Sequence, residues 1–225
     1  MGNHGGLSLR ILFEIEMGIM SIIQPRIYLA SQSPRRRELL KQIGINFEML
    51  LLRSDPRRMV DVDETPRAGE PPEEYVKRIC GSKVRAGWNA RQFRNLPPFP
   101  VLAADTTVTL DNNILGKPRD REDAAAMLRR LSGQRHQVLS AVAVAFEERV
   151  EIRLSTTFVT FATLSEERIH RYLLTNEGHD KAGAYGIQGY AGAFVQRIEG
   201  SYTGVMGLPL CETVELLHAF GYPAP

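Results

Sequence analysis

Apolar positions in this chain recur at two spacings, strand-like alternation or runs in some stretches and helical spacing in others. Arg26-Ile27-Tyr28-Leu29-Ala30 reads as a short strand, and Glu38-Leu39-Leu40-Lys41-Gln42-Ile43 as a helix stopped at Gly44. Ser33 is a favourable N-cap for it and Pro34 a favourable first helical residue. Arg53–Gly69, rich in charge and proline, reads as a loop. Pro71-Pro72-Glu73-Glu74 opens a helix with acids at the end that favours them, and Tyr75, Val76, Ile79, Cys80 and Val84 form its apolar face. Asn95–Pro100 is a proline-rich connector.

Val101–Leu110 reads as a buried strand, turned at Asp111-Asn112-Asn113 into a short return through Ile114 and Leu115. Asp120 caps a helix with Ala124, Met127, Leu128 and Leu131 inward, and Gly133 stops it. His136–Phe146 and Val150–Thr163 are long β-rich runs joined by a hairpin at Glu147-Glu148. Ser165 caps a helix through Leu174, Gly183–Gly192 is glycine-rich, Phe194–Ile198 is a strand and Leu208–Phe220 a final helix. No internal repeat is present. Helices alternate with strands and hairpins interrupt the alternation, which predicts an α/β fold with a mixed sheet.

Composition narrows the function classes. The 225 residues suffice for one large domain or two lobes around a cleft, and 43% hydrophobic with 24% charged is an ordinary globular balance. A net charge of +2 is too small for bulk charge to argue for nucleic-acid binding. Cys80 and Cys211 have neither metal-site spacing nor a disulfide framework, which fits a reducing cytoplasm. Residues 7–23 are partly apolar, but Arg10, Glu14 and Glu16 interrupt them, the run is too short to span a bilayer, and no cleavage site follows. We expect residues 1–24 to be an extension outside the core, with Met20 a candidate natural start, and residues 25–225 to be a single domain.

Three clusters carry candidate chemistry. Arg35, Arg36 and Arg37 fall in the first turn of a helix, where each cation costs roughly 0.3–1 kcal/mol against the helix dipole. Solvated arginines on a helix end are the commoner case for a lone basic run. The alternative is an anion, since free N–H groups, hydroxyls and guanidinium forks suit a phosphate chain. Asp105 interrupts an apolar strand with Thr106 and Thr107 after it; it is either a strand-end residue or a cleft-facing general base or metal ligand. The loop acids Asp61, Asp63 and Glu64 are solvated or supply metal ligands. Lys83 and Lys117 are candidate phosphate contacts, although Lys83 could equally snorkel over the core. In Asp180–Gly189, small residues allow close backbone approach and Gln188 can read a base edge; the segment is no P-loop or dinucleotide fingerprint. The histidines form no spaced metal set, and no nucleophile elbow is present.

Together these motifs resemble the Maf family of nucleoside triphosphate pyrophosphatases over about residues 26–221. The carriers are Leu29-Ala30-Ser31-Gln32-Ser33-Pro34-Arg35-Arg36, Asp61-Val62-Asp63-Glu64, Ala104-Asp105-Thr106, Gly116-Lys117-Pro118, Leu131-Ser132-Gly133, Asp180–Gly189, Gly200-Ser201-Tyr202 and Gly207-Leu208-Pro209-Leu210-Cys211-Glu212-Thr213. The resemblance implies a catalytic domain over residues 25–225, with a twisted mixed sheet flanked by helices. Its two lobes would surround a deep cleft, as in inosine triphosphate pyrophosphatases. It also implies hydrolysis of a nucleoside triphosphate to monophosphate and pyrophosphate with a divalent metal, Mg²⁺ or Mn²⁺.

Residue by residue, Asp105 matches the catalytic acid described as the proton acceptor. Ser31, Arg35, Arg36, Glu64, Lys83 and Lys117 match positions around the triphosphate and metal, with Glu64 and Asp105 as the metal side. Arg35, Thr106 and Gln188 match positions linked to substrate choice, and Arg37 falls outside the motif. Asp180–Gly189 is similar to the branch acting on dTTP and UTP. Two features depart from the pattern: a longer segment at 50–60, and Cys80-Gly81-Ser82, whose glycine costs the helix before Lys83 roughly 1 kcal/mol. The family further implies a cytoplasmic homodimer, with a nucleotide-binding regulator of septum formation as the alternative to an enzyme. A nucleic-acid binder built on Arg35–Arg37 is disfavoured, because no stacking aromatics lie near them.

Overall fold

The computed structural model of the protein describes residues 25–53 and 61–225. The expected extension at 1–24 and most of the lengthened segment at 50–60 lie outside the described residues. One sheet contains β1 Ile27–Leu29, β2 Phe47–Met49, β3 Val101–Leu110, β4 Asn113–Leu115, β5 Arg135–Phe146, β6 Arg149–Phe161 and β7 Val195–Glu199. Their order is β2-β1-β3-β5-β6-β7, with β4 paired to the far end of β3. β2 and β3 run parallel to β1, whereas β4 through β7 join antiparallel, so the sheet is mixed as the pattern predicts. The helices are α1 Pro34–Gln42, α2 Pro72–Phe93, α3 Arg121–Leu131, α4 Glu166–Leu174, α5 Tyr202–Met206 and α6 Leu210–Ala219, with 3₁₀ turns at Ala182–Ala184 and Tyr190–Phe194. Among the described residues no helix is long and apolar enough to cross a membrane.

The first two crossovers, α1 from β1 to β2 and α2 from β2 to β3, cover opposite faces of the sheet. Leu39 and Leu40 of α1 pack with Leu29, Leu102 and Ala104, and burying each contributes roughly 1.5–3 kcal/mol. Val76, Cys80 and Val84 of α2 pack on the other face with Tyr28, Val101 and Ala103. The alternation of β3 thus feeds two cores, as a strand covered on both sides requires. The chain goes out from β1 to β2 on one side and returns to β3 on the other, so the carboxyl ends of β1 and β3 form a topological switch point, where open α/β sheets hold ligands. Pairing of β1 with β3 stops at Leu29 and Leu102, where the Ala30 N–H donates to the Leu102 carbonyl at 2.8 Å. Asp105 lies just beyond, facing that opening. Further along, Val108 enters a third cluster with Leu128 of α3 and Tyr172 of α4. The apolar clusters therefore part along β3 at Asp105–Thr107.

Several details differ from the sequence expectation. Ser33 is the N-cap of α1 by position, but its side chain makes no capping hydrogen bond. Instead, its backbone N–H donates to Ser31 Oγ at 3.2 Å. Helix α2 runs unbroken through Gly81, where a Cβ would meet Ile152 Cδ1 at 3.1 Å and Arg85 Nη1 at 3.2 Å. That glycine buys close packing of α2 on β6, which offsets its poor helix propensity. Strand β2 and helix α5 were not expected, because each is too short to show a period.

Helix α2 also grips the acidic loop before it. Arg78 donates to Glu70 from Nε at 2.5 Å and from Nη2 at 2.6 Å, and to the Thr65 carbonyl at 3.1 Å. The fork holds the Glu70 carboxyl down at about 2, from an ordinary 4.5. A carboxyl held low in the folded state stabilises the fold at higher pH and loses that contribution as pH falls through the folded value. Arg78→Leu is therefore expected to flatten the acid limb of stability between pH 4.5 and about 2. Urea unfolding across that range checks it, and an unchanged limb would mean the fork is not a stabilising pair.

Candidate active site

At the opening beyond β1, Lys83 joins two carboxylates. Its Nζ lies 2.7 Å from Asp105 Oδ1 and 2.8 Å from Glu64 Oε1. Asp105 and Lys83 are mostly buried, whereas the Glu64 side chain is 50% exposed, so the cluster opens to solvent on the Glu64 side. Burial disfavours the charged form of Lys83, but Asp105 and then Glu64 outweigh it and raise its pKa above the ordinary value. Burial likewise works against ionised Glu64, yet Lys83, with help from Lys117 and Arg36, holds its carboxyl below the usual range. Lys83 and Glu64 are thus each held in their charged forms. Two hard oxygen donors converging on one cationic point suit a Mg²⁺ or Mn²⁺ ion that takes its other ligands from water and phosphate. Among the described residues no group of three or more His, Cys, Asp or Glu forms a complete metal cage.

Arg36 approaches from the start of α1. Its Nε donates to the Gly207 carbonyl at 2.8 Å and its Nη1 to Ser31 Oγ at 3.1 Å. Among the described residues its Nη2 has no hydrogen-bond partner. Burial pulls the Arg36 guanidinium below its ordinary range, and Asp105 opposes that pull. The first turn of α1 and the Asp105 carboxylate therefore share one electrostatic neighbourhood. Thr106 occupies the opposite side of β3, where its hydroxyl pairs with Ser140 Oγ at 2.9 Å and reaches the Gly207 carbonyl at 3.5 Å. Arg36 and Thr106 thus meet at one carbonyl far along the chain.

The profile of Maf-like proteins matches residues 26–220. The chain belongs to the Maf-like family. It is 55% identical over 205 residues to a dTTP/UTP pyrophosphatase of Aromatoleum aromaticum, covering 91% of this chain and 100% of that protein. A dTTP/UTP pyrophosphatase of Dechloromonas aromatica is 53% identical over 88% of this chain and 98% of its own length, and one of Nitrosomonas europaea 55% over 87% and 94%. Among solved structures, the Staphylococcus aureus Ham1 protein aligns with 61% of this chain and 72% of its own, at 18% identity and a TM-score of 0.41.

The remaining motif residues of this Maf-like chain divide. Lys117 is exposed and is felt by Glu64, which places it at the rim of the same cluster. Gln188 is exposed between the two 3₁₀ turns and makes no hydrogen bond among the described residues. Its loop approaches α1: burial works against ionised Asp180, but Lys181 outweighs it, and Arg35 adds to the lowering. Arg37 is exposed. Of the loop acids offered as metal ligands, two are committed elsewhere. Asp61 accepts from the Arg53 backbone N–H at 2.8 Å and its Nε at 2.9 Å, and Asp63 accepts from the Thr65 N–H at 2.9 Å.

Two participants escape sequence reasoning. The Tyr75 hydroxyl donates to the Glu64 carbonyl at 3.0 Å, and burial with Asp105 and Glu64 nearby pushes its pKa up to about 12. Tyr75 stands two turns before Lys83 along one ridge of α2, a spacing that reads as plain core packing. Ser140, fully buried, donates to the Gly204 carbonyl at 2.6 Å. A hydroxyl inside the apolar run Val138–Val142 was the available signal. Other nucleophile and base candidates are inert. Burial pushes the Cys80 thiol up to about 12 and pulls His136 down to about 4.

Proposed function

We propose that this Maf-like protein hydrolyses dTTP and UTP between the α- and β-phosphates, releasing the nucleoside monophosphate and pyrophosphate. The observation that carries this reading is the convergence of Asp105, Glu64 and Lys83 at the open end of β1, with Arg36 beside them. Relatives that are 53–55% identical are dTTP/UTP pyrophosphatases, which supports the substrate class.

The residues divide the work by charge. Arg35 and Arg36 at the start of α1, with Ser31, Lys83 and Lys117, hold the triphosphate. Asp105 accepts a proton from the attacking water as its oxygen bonds to the α-phosphorus. The bond from that phosphorus to the bridging oxygen breaks, and pyrophosphate departs with the electron pair. When bound, a divalent ion held by Glu64 and Asp105 supplies charge neutralisation on the phosphates. Arg36, anchored on Gly207, is preorganised, and removing one fixed donor of this kind commonly costs roughly 2.7–4 kcal/mol of barrier.

Base choice falls to Gln188 and Arg35, with Thr106 fixing the Gly207 carbonyl behind Arg36. The amide both donates and accepts, so it matches a uracil or thymine edge, and a mismatched base leaves those groups unpaired once the nucleotide covers them. A panel of nucleoside triphosphates, assayed for pyrophosphate with and without metal, tests the activity. dTTP and UTP should rank highest, and absence of pyrophosphate from both would refute the reading. Gln188→Glu should demote dTTP and UTP in that ranking. An unchanged order would remove Gln188 from base selection while leaving the hydrolysis intact.

A further inference from the structure

We propose that Lys83 is a placeholder cation: its ammonium and the divalent ion compete for Asp105 and Glu64, and Lys83 swings to the substrate's phosphates when the ion takes them. This rests on the reading of Glu64 and Asp105 as metal ligands.

The geometry points to competition rather than coexistence. Lys83 Nζ sits 2.7 Å from Asp105 Oδ1 and 2.8 Å from Glu64 Oε1, between the two carboxylates that would hold the ion. A Mg²⁺-sized ion binds its oxygens at about 2.0–2.1 Å, so both cations on the same two carboxylates would be crowded together with like charge. Lysine can yield, because its ammonium is a point charge on a flexible four-carbon stem. It can yield toward the Glu64 side, where the cluster is half open.

The carboxylates themselves do not depend on Lys83 for their place. Asp105 is fixed in β3, paired with Ala141 of β5. The Glu64 loop is clasped separately by Tyr75, which donates to the Glu64 carbonyl at 3.0 Å, and by Arg78, which donates to the Thr65 carbonyl at 3.1 Å. Before substrate arrives, Lys83 balances two facing acids. Afterwards the same ammonium meets the charge that the triphosphate brings. The consequence is coupling: the free protein takes up metal weakly, and metal and nucleotide bind together.

Titration of the nucleotide-free full chain with Mn²⁺ alone, following free Mn²⁺ by electron paramagnetic resonance, tests this. Lys83→Met and Lys83→Gln should each bind Mn²⁺ about tenfold more tightly than wild type, the size of two partly exposed ion pairs. Glu64→Gln should bind it more weakly than wild type. Mn²⁺ should also raise the melting temperature of the Lys83 variants more than that of wild type. Should Lys83→Met not fold, Lys83→Gln keeps a donor between the acids and carries the test. If Glu64→Gln weakens binding but neither Lys83 variant binds more tightly, the placeholder role is overturned and the metal reading stands. If Glu64→Gln binds as wild type does, the metal lies elsewhere and both fall. Pyrophosphate release by the wild type reports separately on the proposed activity.

Discussion

Asp105→Asn is expected to lower kcat for pyrophosphate release from dTTP by about 10²–10⁴-fold, the usual contribution of a positioned general base. The side chain keeps its size and one acceptor oxygen, so Lys83 retains a partner, and Glu64 still faces it at 2.8 Å. What the amide lacks is the lone pair that takes a proton at neutral pH. KM should change less than kcat, because Arg35, Arg36 and Lys117 are untouched. Circular dichroism and melting temperature should stay near wild type, since Asp105 is buried in β3 and its backbone pairing survives. Wild-type turnover in the folded variant would take Asp105 out of the chemistry.

A second large effect is expected far from the carboxylates. Gly178→Ala would place a Cβ 2.0 Å from the Ala184 carbonyl oxygen and 2.6 Å from its carbon, with Tyr172 Oη at 3.0 Å. These are backbone atoms of the loop that carries Gln188, so no side-chain rotation relieves the overlap. The loop is pinned on its other side as well. Glu177 accepts from the Tyr190 backbone N–H at 2.7 Å and from the Tyr172 hydroxyl at 3.3 Å, and Lys181 ties Asp180 at 2.7 Å. Overpacking of this kind costs about 1–3 kcal/mol, or roughly 2–12 °C in melting temperature for a chain of this size. Gly116→Ala is the matched control, because a Cβ there meets nothing within 4 Å. Equal melting temperatures for the two variants would show that the close approach does not constrain the loop. Discrimination between dTTP and other nucleotides should fall in Gly178→Ala, because Gln188 loses its fixed support.

The Lys83 cluster also shows how a poor sequence signal became a site. A glycine two residues before Lys83 weakens the local case for a continuous helix, and its position beside apolar residues suits snorkelling. The structure keeps the helix because Gly81 lets α2 approach Ile152 of β6. Lys83 then faces Asp105 from the next layer rather than covering the core. The acids of the 61–64 loop are alike in sequence, yet only Glu64 turns to the cluster.

By itself the sequence determined what backbone and side-chain periodicity can determine. Long β runs, the helix starts at Pro34 and Asp120, and the turn at Asp111 and Asn112, with φ of 52° and 61°, follow from forces acting within a few residues. The motifs carried the family as well, and the Maf-like profile matches residues 26–220. Only the tertiary structure decided which charges meet. Arg36 rather than Arg37 turns inward because Gly207, 171 residues away, supplies the carbonyl that anchors it. Tyr75 and Ser140 joined the site through partners that adjoin them only after β1 ends early and β3 runs on past it. Side-chain direction at such an opening depends on where neighbouring strands stop, and that is set by long-range packing rather than by any local pattern.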